Sequence, residues 1–103
     1  MTTPIIEPGD CTTMAEVRAG VDQVDRELIA LLARRFGYMR AAARIKERRE
    51  TVRDEERKAS VIAAAAAGAR EAGLPAAAIA GLWDRLVEAS IAYELEEWER
   101  LRA

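Results

Sequence analysis

The sequence has no histidine and a single cysteine, Cys11. An intrachain disulfide is therefore impossible. Zinc sites built on Cys and His are excluded, as is any Ser-His or Cys-His nucleophilic pair. Catalysis, if there is any, has to use Arg, Lys, Asp, Glu, Ser or Tyr. Three prolines and six glycines in 103 residues leave few positions that force the chain to turn. The five aromatics, two Trp, two Tyr and one Phe, are not interleaved with basic residues as stacking platforms for bases would be. Nor is there an excess of positive charge. Sixteen basic against eighteen acidic residues give −2, which argues against a general nucleic-acid binder. No apolar run approaches the ~18 residues of a membrane span. The opening MTTPIIEPGD has neither the basic stretch nor the apolar core of a signal peptide. A cytoplasmic protein with no membrane or nucleic-acid partner is expected.

What is present is helix-forming. Half the residues are hydrophobic and a third are charged, which suits one soluble, all-α domain over residues 1–103, irregular over its first dozen residues. Thr13 and Glu16 fit a capping box. Val17, Val21, Val24, Leu28 and Leu31 then follow at spacings of 4, 3, 4 and 3, a heptad seam. Only Gly20 and Gly37 interrupt it, so the first helix is expected over about residues 14–49. TVRD (residues 51–54) reads as a turn. Asp54 is placed as the N-cap of a second helix, with Glu55 and Glu56 in its first turn and Gly73 as its stop. Pro75 suits the first turn of a third helix, expected from about Ala76 to Arg100. Its apolar side is Leu82, Trp83, Leu86, Val87, Ile91, Leu95 and Trp98. The first helix is then too long: roughly 50 Å at 1.5 Å per residue, in a chain whose compact radius of gyration is only ~13 Å. A two-fold dimer would cover the surplus seam; an antiparallel coiled coil is the plain alternative.

The stretch ARIKERRETVRDEER, residues 43–57, carries eleven charges in fifteen residues. Continuing the seam past Leu31 reaches Arg35, then Tyr38, Ala42 and Ile45, with Lys46 one turn on from Ala42. Arg35 and Lys46 are three turns apart, so they share a face to within ~20° with their backbones roughly 16 Å apart. Between them they could grip a small anion. The alternative is that Arg35 snorkels and Lys46 is solvated. On the third helix, Ser90 and Glu94 interrupt an apolar face at i, i+4. Either Glu94 pairs with a cation and is structural, or a hydroxyl and a carboxyl group face the Arg35/Lys46 site. Arg53 or Arg57 could supply one more inward guanidinium. Of the fifteen residues, Lys46, Arg57 and Asp54 are expected to face inward and most others to be solvated.

These residues resemble the all-α chorismate mutase family, including its relative isochorismate-pyruvate lyase. The likeness runs from about Asp10 to Trp98 and rests on the order and spacing of VRAGVDQVDRELIALLARR, RIKE, VRDEER and LVEASIAYE. It implies an intertwined homodimer of three-helix chains, with no cofactor and no metal. It also implies a substrate site of Arg18, Arg35, Lys46, Asp54, Arg57, Ser90 and Glu94. Arg18 matches the arginine contributed across the dimer, and Arg35 the one that binds a substrate carboxylate. Lys46 matches the lysine at the ether oxygen. Asp54 and Arg57 match residues of the loop and second helix, and Ser90 and Glu94 the pair on the third. By position Arg18 lies roughly 25 Å along the helix from Arg35 and points about 100° away, so it cannot reach the same small ligand within one chain. Two positions depart from the family pattern: Glu94 where many bacterial mutases have glutamine, and Lys58 where some have a glutamate that could take the substrate hydroxyl.

The implied reaction, chorismate to prephenate, is pericyclic and needs no nucleophile, so the missing histidine is no obstacle. The enzyme holds a flexible dianion in its reactive conformer and stabilises charge developing on the ether oxygen. Lys46, Glu94 and Arg35 are the expected catalytic groups. VRDEER and Ser90 look like ordinary mutases, whereas GDCTTMAEVR and IAYELEEW look like the lyases. The expected activity is chorismate mutase, with isochorismate-pyruvate lyase as the alternative. A non-catalytic helical dimerisation module is the reading from another class. Cations at inward positions speak against that module, since an interface favours apolar residues there.

Overall fold

A computed structural model describes residues 3–103. These form three α-helices, α1 (Met14–Ile45), α2 (Glu55–Glu71) and α3 (Ala76–Leu101), with 3-10 turns at Pro8–Asp10 and Arg49–Thr51 and no strand among the described residues. The all-α expectation holds. The stretch expected to be irregular contains the first 3-10 turn, and its Met1 and Thr2 lie outside the described residues. The chain divides into two compact units, one up to Phe36 and one from Gly37 to Ala103, with α1 running through both.

In the first unit α1 begins at the expected capping box. The Glu16 N–H donates to Thr13 Oγ1 at 3.2 Å, and Glu16 Oε1 accepts from the N–H groups of Thr12 and Thr13 at 2.8 and 3.0 Å. These backbone donors hold the Glu16 carboxyl below its ordinary range. The heptad seam is then left uncovered within this unit: Val21, Val24, Leu28 and Leu31 are 50–59% exposed.

The second unit holds the buried residues. Val52, Val87 and Ile91 form its core, with Val61, Leu95 and Trp98 packed against them. Val87 and Ile91 are one turn apart on α3, whereas Val52 comes from the connector. That position explains where α1 stops. The helix was expected to reach residue 49, but it ends at Ile45, and Arg48 is already extended at φ −122°, ψ 134°. Residues 47–50 are all charged. They offer a continued helix no apolar contact, while turning the chain brings Val52 into the core at 4% exposure.

Asp54 caps α2 as expected, its Oδ1 accepting from the Arg57 N–H at 3.0 Å. The helix closes in a Schellman arrangement: Gly73 takes φ +73°, its N–H reaches the Arg70 carbonyl at 3.2 Å, and the Leu74 N–H reaches that of Ala69 at 2.8 Å. Pro75 stands at the N-cap of α3 rather than within its first turn. Leu82, expected on the apolar side of α3, is exposed.

A polar clamp joins the start of α2 to α3. Lys58 Nζ lies 2.8 Å from Glu88 Oε2 and 3.1 Å from Asp84 Oδ1. Arg53 grips the same Glu88 with both Nη atoms, at 2.8 and 3.0 Å. The Arg53 and Lys58 donors pull the Glu88 carboxyl from 4.5 down to about 2. A depressed carboxyl stabilises the fold above its unfolded-state pKa and loses that contribution as pH falls through the folded value. Replacing Glu88 by Gln should therefore lower Tm by a constant amount above about pH 5. The gap to wild type should close between 4.5 and about 2. Thermal melts across that window, at low salt, check the sign.

Candidate active site

Lys46 is the first residue beyond α1, and its N–H still donates to the Ala42 carbonyl at 2.9 Å, so it completes the last turn. Its side chain turns toward α3. Lys46 Nζ donates to Glu94 Oε2 at 2.8 Å and lies 3.4 Å from the Val52 carbonyl. The Glu94 side chain is only 5% exposed, against 30% for that of Lys46. A carboxylate so deep needs a close cation, and Lys46 is that cation. One turn before Glu94, the buried Ser90 donates its hydroxyl to the Leu86 carbonyl at 2.7 Å. Among the described residues every buried side-chain N or O atom has a hydrogen-bond partner.

The cation partner foreseen for Glu94 is thus Lys46 itself, which joins the two alternatives weighed for Glu94. The pair is structural in the free chain, and it sets a hydroxyl, a carboxyl group and an ammonium within one turn of α3. Asp54 and Arg57 are brought to each other only through the α2 cap, and both are exposed. Arg53 does not turn inward, because Glu88 and Glu55 hold its guanidinium. Arg18 and Arg35 belong to the first unit, where Arg18 is exposed and Arg35 half-buried on α1. Among the described residues no three carboxylate or thiol groups converge as a metal site would need. Among the described residues no helix is long and apolar enough to cross a membrane.

The main chain of Lys46 is held by residues that the sequence did not single out for that role. Its carbonyl accepts from Trp98 Nε1 at 3.0 Å and from Arg102 Nη2 at 2.6 Å. Arg102 Nη1 reaches the Ala43 carbonyl at 3.0 Å, and the guanidinium lies 4.3 Å from the centre of the Trp98 ring. Trp98 and Arg102 stand at i, i+4 at the end of α3, so their stacking was legible; the carbonyls they serve lie more than fifty residues away in sequence.

A partly exposed ammonium paired with a nearly buried carboxyl group at the edge of the fold suits a small anionic substrate. Over residues 17–95 the chain matches the family described as chorismate mutase type II. The chain belongs to that family. All seven residues of the expected site fall inside the matched segment. Isochorismate pyruvate lyase of Pseudomonas aeruginosa is 33% identical over 95 residues, which is 92% of this chain and 94% of that protein. The protein is therefore an enzyme of the chorismate mutase or isochorismate pyruvate lyase type, with a chorismate-like small molecule as substrate.

The pair's geometry sets the outcome of removing one partner. Lys46→Met strands a buried acceptor and should lower stability by about 1–3 kcal/mol. Adding Glu94→Met removes the stranded group and should recover part of that loss. Urea denaturation of the single and double variants checks this; equal or greater loss in the double variant would contradict it.

Proposed function

We propose that this family member is a chorismate mutase, converting chorismate to prephenate. The carrying observation is the Lys46–Glu94 pair, an ammonium 2.8 Å from a nearly buried carboxyl group. In this reading Lys46 leaves Glu94 to meet the ether oxygen, where negative charge develops as the C–O bond breaks. The carboxyl group of Glu94 stands beside Lys46 and helps to direct it to that oxygen. Arg35 grips one substrate carboxylate in bidentate fashion, and Arg57 and the partner's Arg18 complete the cationic shell. Asp54 at the loop end and Ser90 beside Glu94 favour the mutase over the lyase, since both fit the ordinary mutase pattern.

Two observations favour isochorismate pyruvate lyase as the second reading. The similar Pseudomonas aeruginosa protein carries that name, and this chain covers 94% of it. Lys58, at the position where some mutases have a glutamate, is engaged by Asp84 and Glu88. Residue 58 itself is thus a base, and the two acids beside it are engaged in ion pairs. Purified protein mixed separately with chorismate and isochorismate, with products identified by NMR, decides between the readings. Prephenate is expected. Salicylate with pyruvate would establish the lyase, and no turnover of either would overturn both.

Arg35→Ala and Lys46→Ala should each reduce kcat/KM more than a hundredfold, since one charge-assisted contact in a closed site contributes roughly 3 kcal/mol or more to the transition state. Circular dichroism at 25 °C should show the helices retained. Arg48→Ala, which loses only an exposed contact at 3.6 Å to Glu50, should change turnover little. Equal losses in all three would show that the inward and outward positions have been misassigned.

The uncovered seam of α1 supports a homodimer as the working form. Sedimentation at micromolar concentration should give about twice 11.4 kDa. Mixed Arg18→Ala and Lys46→Ala subunits, each inactive alone, should regain activity, because one site of the mixed dimer has both residues intact. An active monomer, or no recovery on mixing, would remove Arg18 from the site.

A further inference from the structure

The end of α1 is the least supported part of the candidate site by local structure. The helix stops at Ile45, and the connector over residues 46–54 contains one 3-10 turn, Arg49–Thr51. The last carbonyls of a helix lack intrahelical partners and carry the negative end of its dipole. Here two of them, those of Ala43 and Lys46, are taken by one guanidinium. Arg102 spans both with its two Nη atoms, at 3.0 and 2.6 Å, and the Trp98 indole N–H adds a second donor to the Lys46 carbonyl at 3.0 Å. Arg102 in turn stacks on Trp98, 4.3 Å from the ring centre, so the two support each other. Trp98 packs against the core of Val52, Val87 and Ile91, which anchors that unit to the second half of α3. Glu94 lies on the same helix, one turn before Trp98. The side chain of Lys46 and its carbonyl are therefore both bound to α3, through groups at 94, 98 and 102, successive turns of one helix face.

We propose that Trp98 and Arg102 are positioning residues. By fixing the main chain of Lys46 they set where its ammonium stands relative to Glu94 and the reacting oxygen. The proposal rests on the reading of Lys46 as the group at the ether oxygen. It goes beyond that reading by assigning the placement of Lys46 to two residues that touch no substrate. The physical need is clear. The lysine side chain has four rotatable bonds and stands where the helix has ended, so without a fixed carbonyl its ammonium would sample a wide arc. Displacement of a reacting group by about 1 Å can lower a rate by roughly a hundredfold.

Trp98→Phe keeps an aromatic face for packing but loses the indole N–H and part of the ring area. Arg102→Ala removes the bridge, and Arg102→Lys restores charge without the fork. Two readouts are taken: kcat and KM on whichever of chorismate and isochorismate the wild type converts, and the 13C resonance of the Glu94 carboxyl in free enzyme. Trp98→Phe and Arg102→Ala should lower kcat at least about tenfold with KM changed less than about threefold. Arg102→Lys should recover part of that kcat. The Glu94 resonance should move toward its position in Lys46→Met. A kcat within twofold of wild type overturns the proposal whatever happens to Tm, as does an unmoved Glu94 resonance or a loss confined to KM. If the wild type converts neither substrate, the proposed function fails separately. The Glu94 resonance then decides by itself whether Trp98 and Arg102 place Lys46.

Discussion

A carboxylate buried in an apolar helix face has to be answered, and in this protein much of the second unit is arranged around that answer. Glu94 sits between Ile91 and Leu95, at 4% exposure. Its close cation comes not from its own helix but from Lys46 at the end of α1. That pairing, together with the burial of Val52, fixes where α1 ends and how the connector turns. The ion pair adds little net stability when set against an apolar replacement of both partners. Its value is that it leaves a charged and a titratable group beside each other at a half-open edge, which a packed core of leucines could not offer.

The two clusters of charge on α3 behave differently for a reason of depth. Glu88 is bound by Arg53 and Lys58 at a solvated surface, where the contacts hold the connector and α2 against α3 and where salt weakens them. Glu94 is bound inside, where solvent cannot take over if its partner leaves. The first cluster is a fastening at the surface; the second is a pair whose partners depend on each other. Lys58 belongs wholly to the fastening. Its ammonium is held by Asp84 and Glu88, so its part in the fold is to fasten α2 to α3.

The first unit raises a different matter. Its seam is apolar at heptad spacing and has no cover within the unit. The homodimer proposed above would give the length of α1 a purpose, because a second copy of the same stripe could cover the first.

The helices themselves were determined locally. Thr13 with Glu16, Asp54, and Gly73 with φ +73° act within a turn of their own position, so their effects could be read from neighbouring residues. The residue types of the candidate site were equally legible, because Lys46 and Glu94 interrupt apolar periodicity and interruption is visible in one dimension. The sequence could not show that these two interruptions cancel each other. It suggested that α1 would continue to about residue 49, since nothing in KERR breaks a helix. Only the tertiary structure decided that the chain leaves the helix at Ile45, because burying Val52 outweighs four more residues of solvated helix. In the same way, Trp98 was legible as an apolar residue and Arg102 as a surface cation. Their task at the carbonyls of Ala43 and Lys46 exists only once α3 lies across the end of α1, because a helix end exposes its unpaired groups to whatever the fold brings there.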